Sequence, residues 1–139
     1  MSIEEAIPKL VGETIINIHI SKDKQYLFFT LLDYSTVILS AEKRGCSDTW
    51  IEHIELPAKG LPAKVLEIRD LELKKVYEGI PKRSNVAQFY GMEIVTNKGS
   101  VEIDYRNYGN GYYGGELFYV YPEDVVYHFK KQADCRAVK

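Results

Sequence analysis

Thr14-Ile15-Ile16-Asn17-Ile18-His19-Ile20 opens the part of the chain that decides the fold class. Ile16, Ile18 and Ile20 fall on one face of an extended segment, with Asn17 and His19 on the other. His19 reads as a solvent-facing strand residue. Two further apolar runs follow, Gln25–Leu32 and Thr36–Ser40, separated by the polar turns Ser21–Lys24 and Asp33–Ser35. Three runs with connections this short predict an antiparallel meander.

Downstream, Phe89–Thr96 and Ser100–Tyr105 flank the turn Asn97-Lys98-Gly99 and predict a hairpin. Glu116–Tyr121 then predicts a strand that pairs back across Arg106–Gly115. Between the two β-rich parts the texture changes. Arg44–Pro57 lacks alternation, Ser47, Asp48 or Thr49 can cap a helix, and Glu52 stands three residues after Thr49. Trp50, Ile51 and Ile54 share an apolar side at helical spacing, so a short helix is expected there. Ala63–Leu73 is mixed, with a break expected near Arg69-Asp70. Ser2 and Glu5 have capping-box spacing for a helical turn over residues 3–7, and Asp124 can cap a last short helix. The expected architecture is α+β: mostly antiparallel sheet in two meanders, with one or two short helices in a single domain. Residues 1–9 form an arm, 10–129 the core and 130–139 a mobile tail.

Composition excludes several functions. The net charge of −2 gives no bulk attraction for nucleic acid or anionic membrane. No apolar run approaches the roughly 18 residues of a membrane span, and the acidic N-terminus lacks a signal-peptide pattern. The expected location is the cytoplasm. Cys46 and Cys135, far apart in the chain, read there as free thiols, with one disulfide as the alternative. With His19, His53 and His128 they give no zinc-ligand spacing, so neither a metal nor another cofactor is expected.

Eleven tyrosines against one tryptophan suit half-exposed sheet positions. That reading fits least well in Arg106-Asn107-Tyr108-Gly109-Asn110-Gly111-Tyr112-Tyr113-Gly114-Gly115. No G-x-x-x-x-G-K-[ST] motif is present and no helix follows, which removes a Walker-type phosphate loop. Arg106 can still bind a phosphate in bidentate fashion. Asn107 and Asn110 can read a base edge, and Tyr112 or Tyr113 can stack on it. The alternative is structural: Asn-Gly and Gly-Gly supply positive-φ positions in a bulged hairpin. Cys46 or Ser47 with Asp48 and His53 has the residue types of a base-activated nucleophile, without a nucleophile elbow.

Two motifs carry a resemblance: Cys46-Ser47-Asp48-Thr49-Trp50-Ile51-Glu52-His53 with Glu55-Leu56-Pro57, and the Arg106–Gly115 block. With Leu10–Ile15 they resemble a family of small phage- and prophage-encoded domains of unknown function, over roughly residues 10–120. The chain has Gly45-Cys46 where that family often has two adjacent cysteines. The resemblance implies a mobile-element origin and a bacterial host cytoplasm, with no activity to transfer. The expected ligand-binding set is Arg106, Asn107, Asn110, Tyr112 and Tyr113, with Trp50, Ser47 and His53. The expected function is non-enzymatic sequestration of a small nucleotide-type signal of anti-phage defence, a cyclic nucleotide or ADP-ribose derivative, by a homo-oligomer. The alternatives are a protein-binding inhibitor of a host factor and a small phosphodiesterase or hydrolase.

Overall fold

The computed structural model describes residues 7–42, 47–78, 86–109, 116–120 and 135–137. Their elements are α1 (Ile7–Leu10), β1 (Thr14–Ser21), β2 (Tyr26–Leu31), β3 (Thr36–Glu42), β4 (Asp48–Glu55), β5 (Ala63–Glu78), β6 (Val86–Thr96), β7 (Gly99–Gly109), β8 (Glu116–Val120) and β9 (Cys135–Ala137). The strands form one antiparallel sheet in the order β4-β7-β6-β5-β1-β2-β3-β8, and β9 pairs with β1. The expected α+β class and its two separate meanders therefore give way to a continuous β-sheet. Among the described residues, helix is confined to the single turn of α1. The helices expected at residues 3–7 and after Asp124 fall largely or wholly outside the described residues.

Two expectations fail for identifiable reasons. The segment read as a helix from Ser47 is strand β4, paired with β7 from Asp48↔Tyr108 to Glu55↔Glu102. The hairpin expected across Arg106–Gly115 does not form: β7 pairs with β4 and β6, while β8 pairs with β3, from Glu42↔Glu116 to Ile38↔Val120. Arg106–Gly109 are thus the last residues of a strand, not part of a turn.

This topology forces the sheet to curl. In the strand order β7 and β8 stand six spacings apart, about 29 Å in a flat sheet. The seven steps from Gly109 to Glu116 reach at most about 25 Å. Direct bonds across the curl agree: Ile51 N donates to Lys24 O at 2.8 Å, and Gln25 Nε2 to Thr49 O at 2.9 Å. The enclosed core draws Ile15, Leu27, Phe29 and Leu39 from one half and Ile51, Ile94 and Ile103 from the other. Each such side chain contributes about 1.5–3 kcal/mol on burial, so the shared core holds the curl closed.

Bulges adjust which residues face that core. The register of β1 on β2 shifts between Ile15 and Asn17, so Ile15, Ile18 and Ile20 are buried, whereas the sequence reading had put Ile16 on the inner face. In β5 the shifts fall at Val65/Glu67 and Leu71/Lys75, on either side of Arg69-Asp70, which pair regularly with Glu93 and Met92. The β6–β7 turn is tied back to β5, where Lys64 N donates to Asn97 Oδ1 at 2.9 Å. Gly99 takes a φ of 113° there, and a Cβ would stand 3.1 Å from Ala58 N, so only glycine fits without displacement.

Candidate functional site

Pairing of β4 with β7 brings the two sequence motifs together: Thr49 lies opposite Asn107 and Trp50 opposite Arg106. Because side chains alternate across a strand, these neighbouring pairs have opposite fates.

Asn107 points inward and is fully buried. Its Oδ1 accepts from Thr49 Oγ1 at 2.8 Å, and its Nδ2 donates to Gln88 Oε1 at 2.9 Å. Thr49 and Gln88 are buried as well. The network ties β4, β7 and β6 together and reaches the β1–β2 turn through the Gln25–Thr49 bond. Next to it, Tyr105 and Tyr90 stack with centroids 5.1 Å apart. The amide expected to read a ligand is thus engaged inside the sheet.

Arg106 points outward. Its guanidinium carbon sits 4.1 Å from the Phe89 ring centroid, a cation–π distance. Its Nη1 lies 3.8 Å from Glu52 Oε1, and Glu52 Oε2 accepts from Trp50 Nε1 at 2.7 Å. One carboxylate therefore orients both the arginine and the indole. A bulge makes this possible: the β4–β7 register shifts between Ile51 and His53, leaving Glu52 as the extra residue. With the Arg106 and Glu52 side chains 32% and 37% exposed, the ion pair adds under about 1 kcal/mol of stability. Its effect is geometric.

The electrostatics of this face are graded. Two rows beyond Arg106, past the pair His53 and Asp104, Glu55, Glu102 and Glu93 stand opposite one another on β4, β7 and β6. Like charges directly opposite repel. Among the described residues, Arg69 relieves that row at its β5 end, 3.3 Å from Glu93 and 3.3 Å from Glu67. The hydrogen bond that Arg69 donates to Glu67, then the charges of Glu67 and Glu93, hold the Arg69 guanidinium above its ordinary pKa. An anion approaching this face is repelled at the glutamate row and attracted at Arg106.

Of the other expected residues, Ser47 is buried just before β4. His53 is exposed and lies opposite Asp104. Six extended steps lead from Ser47 to His53, about 20 Å, so these two do not form a nucleophile–base pair. Asn110, Tyr112, Tyr113 and Cys46 lie outside the described residues. Among the described residues, no three His, Cys, Asp or Glu side chains gather as a metal site, and no helix is long and apolar enough to cross a membrane. Sequence reasoning misses Glu52, whose spacing from Thr49 reads as a helix cap, and Phe89, which reads as an ordinary strand residue. It also misses Thr49 and Gln88 as partners of Asn107. Thr49 lies 58 residues away in the chain, beyond the reach of any local pattern.

Fold and site together define a curled antiparallel β-sheet protein with an aromatic–arginine cluster on its outer face. The chain belongs to a family described as a domain of unknown function, DUF7448, whose model matches residues 8–119. No curated protein and no solved structure matches the chain significantly.

Proposed function

We propose that the protein is a non-enzymatic binding protein that takes a small nucleotide-type ligand at Trp50 and Arg106. One observation carries the reading: Glu52 fixes a planar cation and an indole side by side on adjacent strands before any ligand arrives. A base stacks on the indole, and Arg106 meets a phosphate. Preorganisation of this kind lowers the ordering cost of binding. The glutamate row opposes long polyanions, which favours a small ligand over nucleic acid. The separation of Ser47 from His53 favours holding the ligand over hydrolysing it. The finer reading is sequestration of a nucleotide-derived signal of anti-phage defence in a bacterial cytoplasm, and it rests on the phage-type likeness of the two motifs.

The test is calorimetry against a panel of cyclic nucleotides and ADP-ribose derivatives, with chromatography of the recovered ligand. Binding without turnover, lost in Arg106→Ala, is the expected result. No heat across the panel, or turnover of a bound ligand, refutes the proposal.

A further inference from the structure

Among the described residues, the large apolar side chains left in water are Val11, Leu32, Tyr34 and Leu66. They are not scattered. Leu32 N donates to Thr14 O, Gly12 N to Val65 O, and Val65 N to Glu13 O. Val11 and Leu66 therefore each adjoin a residue of one bonded set, and the β2–β3 turn carrying Leu32 and Tyr34 joins it through Thr14. All four lie at the end of the sheet opposite Trp50 and Arg106, since β4 contacts the other end of β1 and β2 through Lys24 and Gln25.

Tyr34 is the most conspicuous of them. It is 81% exposed and its φ is 67°, a left-handed conformation that suits glycine or asparagine and disfavours a bulky residue. Local turn geometry does not account for a tyrosine at this position. Display of an aromatic ring does, and tyrosine is a common interface anchor.

Charge decides what meets it. Asp33 sits in the same turn, which joins β2 to β3 and so lies across β1 from β5. On the β5 side stand Lys64, Lys98 and Lys59, linked by Asn97 N donating to Lys64 O at 3.0 Å and Lys59 N to Lys98 O at 3.1 Å. Glu13 lies exposed between the two sides. An isologous interface requires a surface complementary to itself. A strip with an acidic and a basic flank meets that requirement, because a two-fold rotation lays each flank on its opposite.

We propose that this end of the sheet binds a second copy of the chain, with Leu32 and Tyr34 of each copy packing on Val11 and Leu66 of the other across a two-fold axis, and Asp33 of each copy facing Lys64 of the other. The proposal is independent of the ligand reading, since the Trp50–Arg106 face stays open in the dimer.

Sedimentation equilibrium over a range of concentrations tests it, with melting temperature as the control for folding. The wild type is expected to dimerise, and Tyr34→Ser to be monomeric and still folded. Asp33→Lys and Lys64→Glu alone each weaken the dimer by about tenfold or more through like-charge contact, and together they restore it. Asp33→Lys also loses the Ser35 hydrogen bonds, so its melting temperature is compared with that of the double variant. A wild type that stays monomeric at all concentrations overturns the proposal. A dimer that survives Tyr34→Ser, or a double variant no tighter than either single, overturns it equally.

Discussion

Asn107 and Arg106 are adjacent in sequence, and replacing each by alanine should have opposite consequences. Asn107→Ala removes the donor to Gln88 Oε1 and the acceptor for Thr49 Oγ1, bonds of 2.9 and 2.8 Å inside the sheet. Thr49 can turn its hydroxyl elsewhere, but the buried Gln88 oxygen loses that donor. An unmet buried polar group costs about 1–3 kcal/mol, and the space vacated adds to it, for about 2–4 kcal/mol together. For a chain of this length that is a fall in Tm of about 6–16 °C. Arg106→Ala gives up a half-exposed ion pair and one cation–π contact, about 1 kcal/mol in all. Urea unfolding of both variants, read as the midpoint at unchanged m, measures the difference. If Asn107→Ala stayed within about 0.5 kcal/mol of wild type while abolishing ligand binding, the assignment of Asn107 to the interior would fail.

Two other outcomes follow from local geometry. Gly99→Ala should destabilise by about 1–3 kcal/mol, because the positive φ and the 3.1 Å approach to Ala58 N act together; a thermal melt equal to wild type refutes this. Asp33 has its pKa lowered, first by the Ser35 side-chain hydrogen bond and then by the Ser35 backbone bond. A carboxylate depressed in the folded state stabilises above its unfolded pKa and loses that contribution as pH falls through the folded value. Asp33→Asn should therefore be less stable than wild type at neutral pH, with the gap closing below about pH 4. A gap that is constant or grows on acidification contradicts that sign.

Strands β1 to β3 and the β6–β7 hairpin were legible because alternation and turn residues are local signals. The misreading of β4 has a definite origin. The bulge at Glu52 puts Ile51 and Ile54 on one face three residues apart, and Trp50 nearby completes what looks like helical spacing. In β5 the two register shifts break the alternation in the same manner. The pairing of β8 with β3 was out of reach, since no local feature of Glu116–Val120 names a partner some eighty residues upstream. At the candidate site, the residue types at Trp50 and Arg106 were readable. Which face each neighbour takes was not, because that depends on register, and Asn107 therefore looked as available as Arg106.

The same β3–β8 ladder has a consequence for how the protein is made. The meander β1–β3 can form early in synthesis, yet β3 keeps one edge open until Glu116–Val120 has left the ribosome. Only then does the ladder complete that side of the sheet. Contacts this distant in sequence place folding in the millisecond-to-second range rather than the microsecond range of local topologies. A nascent chain arrested before residue 116 presents the unpaired edge of Thr36–Glu42 to its neighbours, which makes that interval the period of greatest exposure to aggregation.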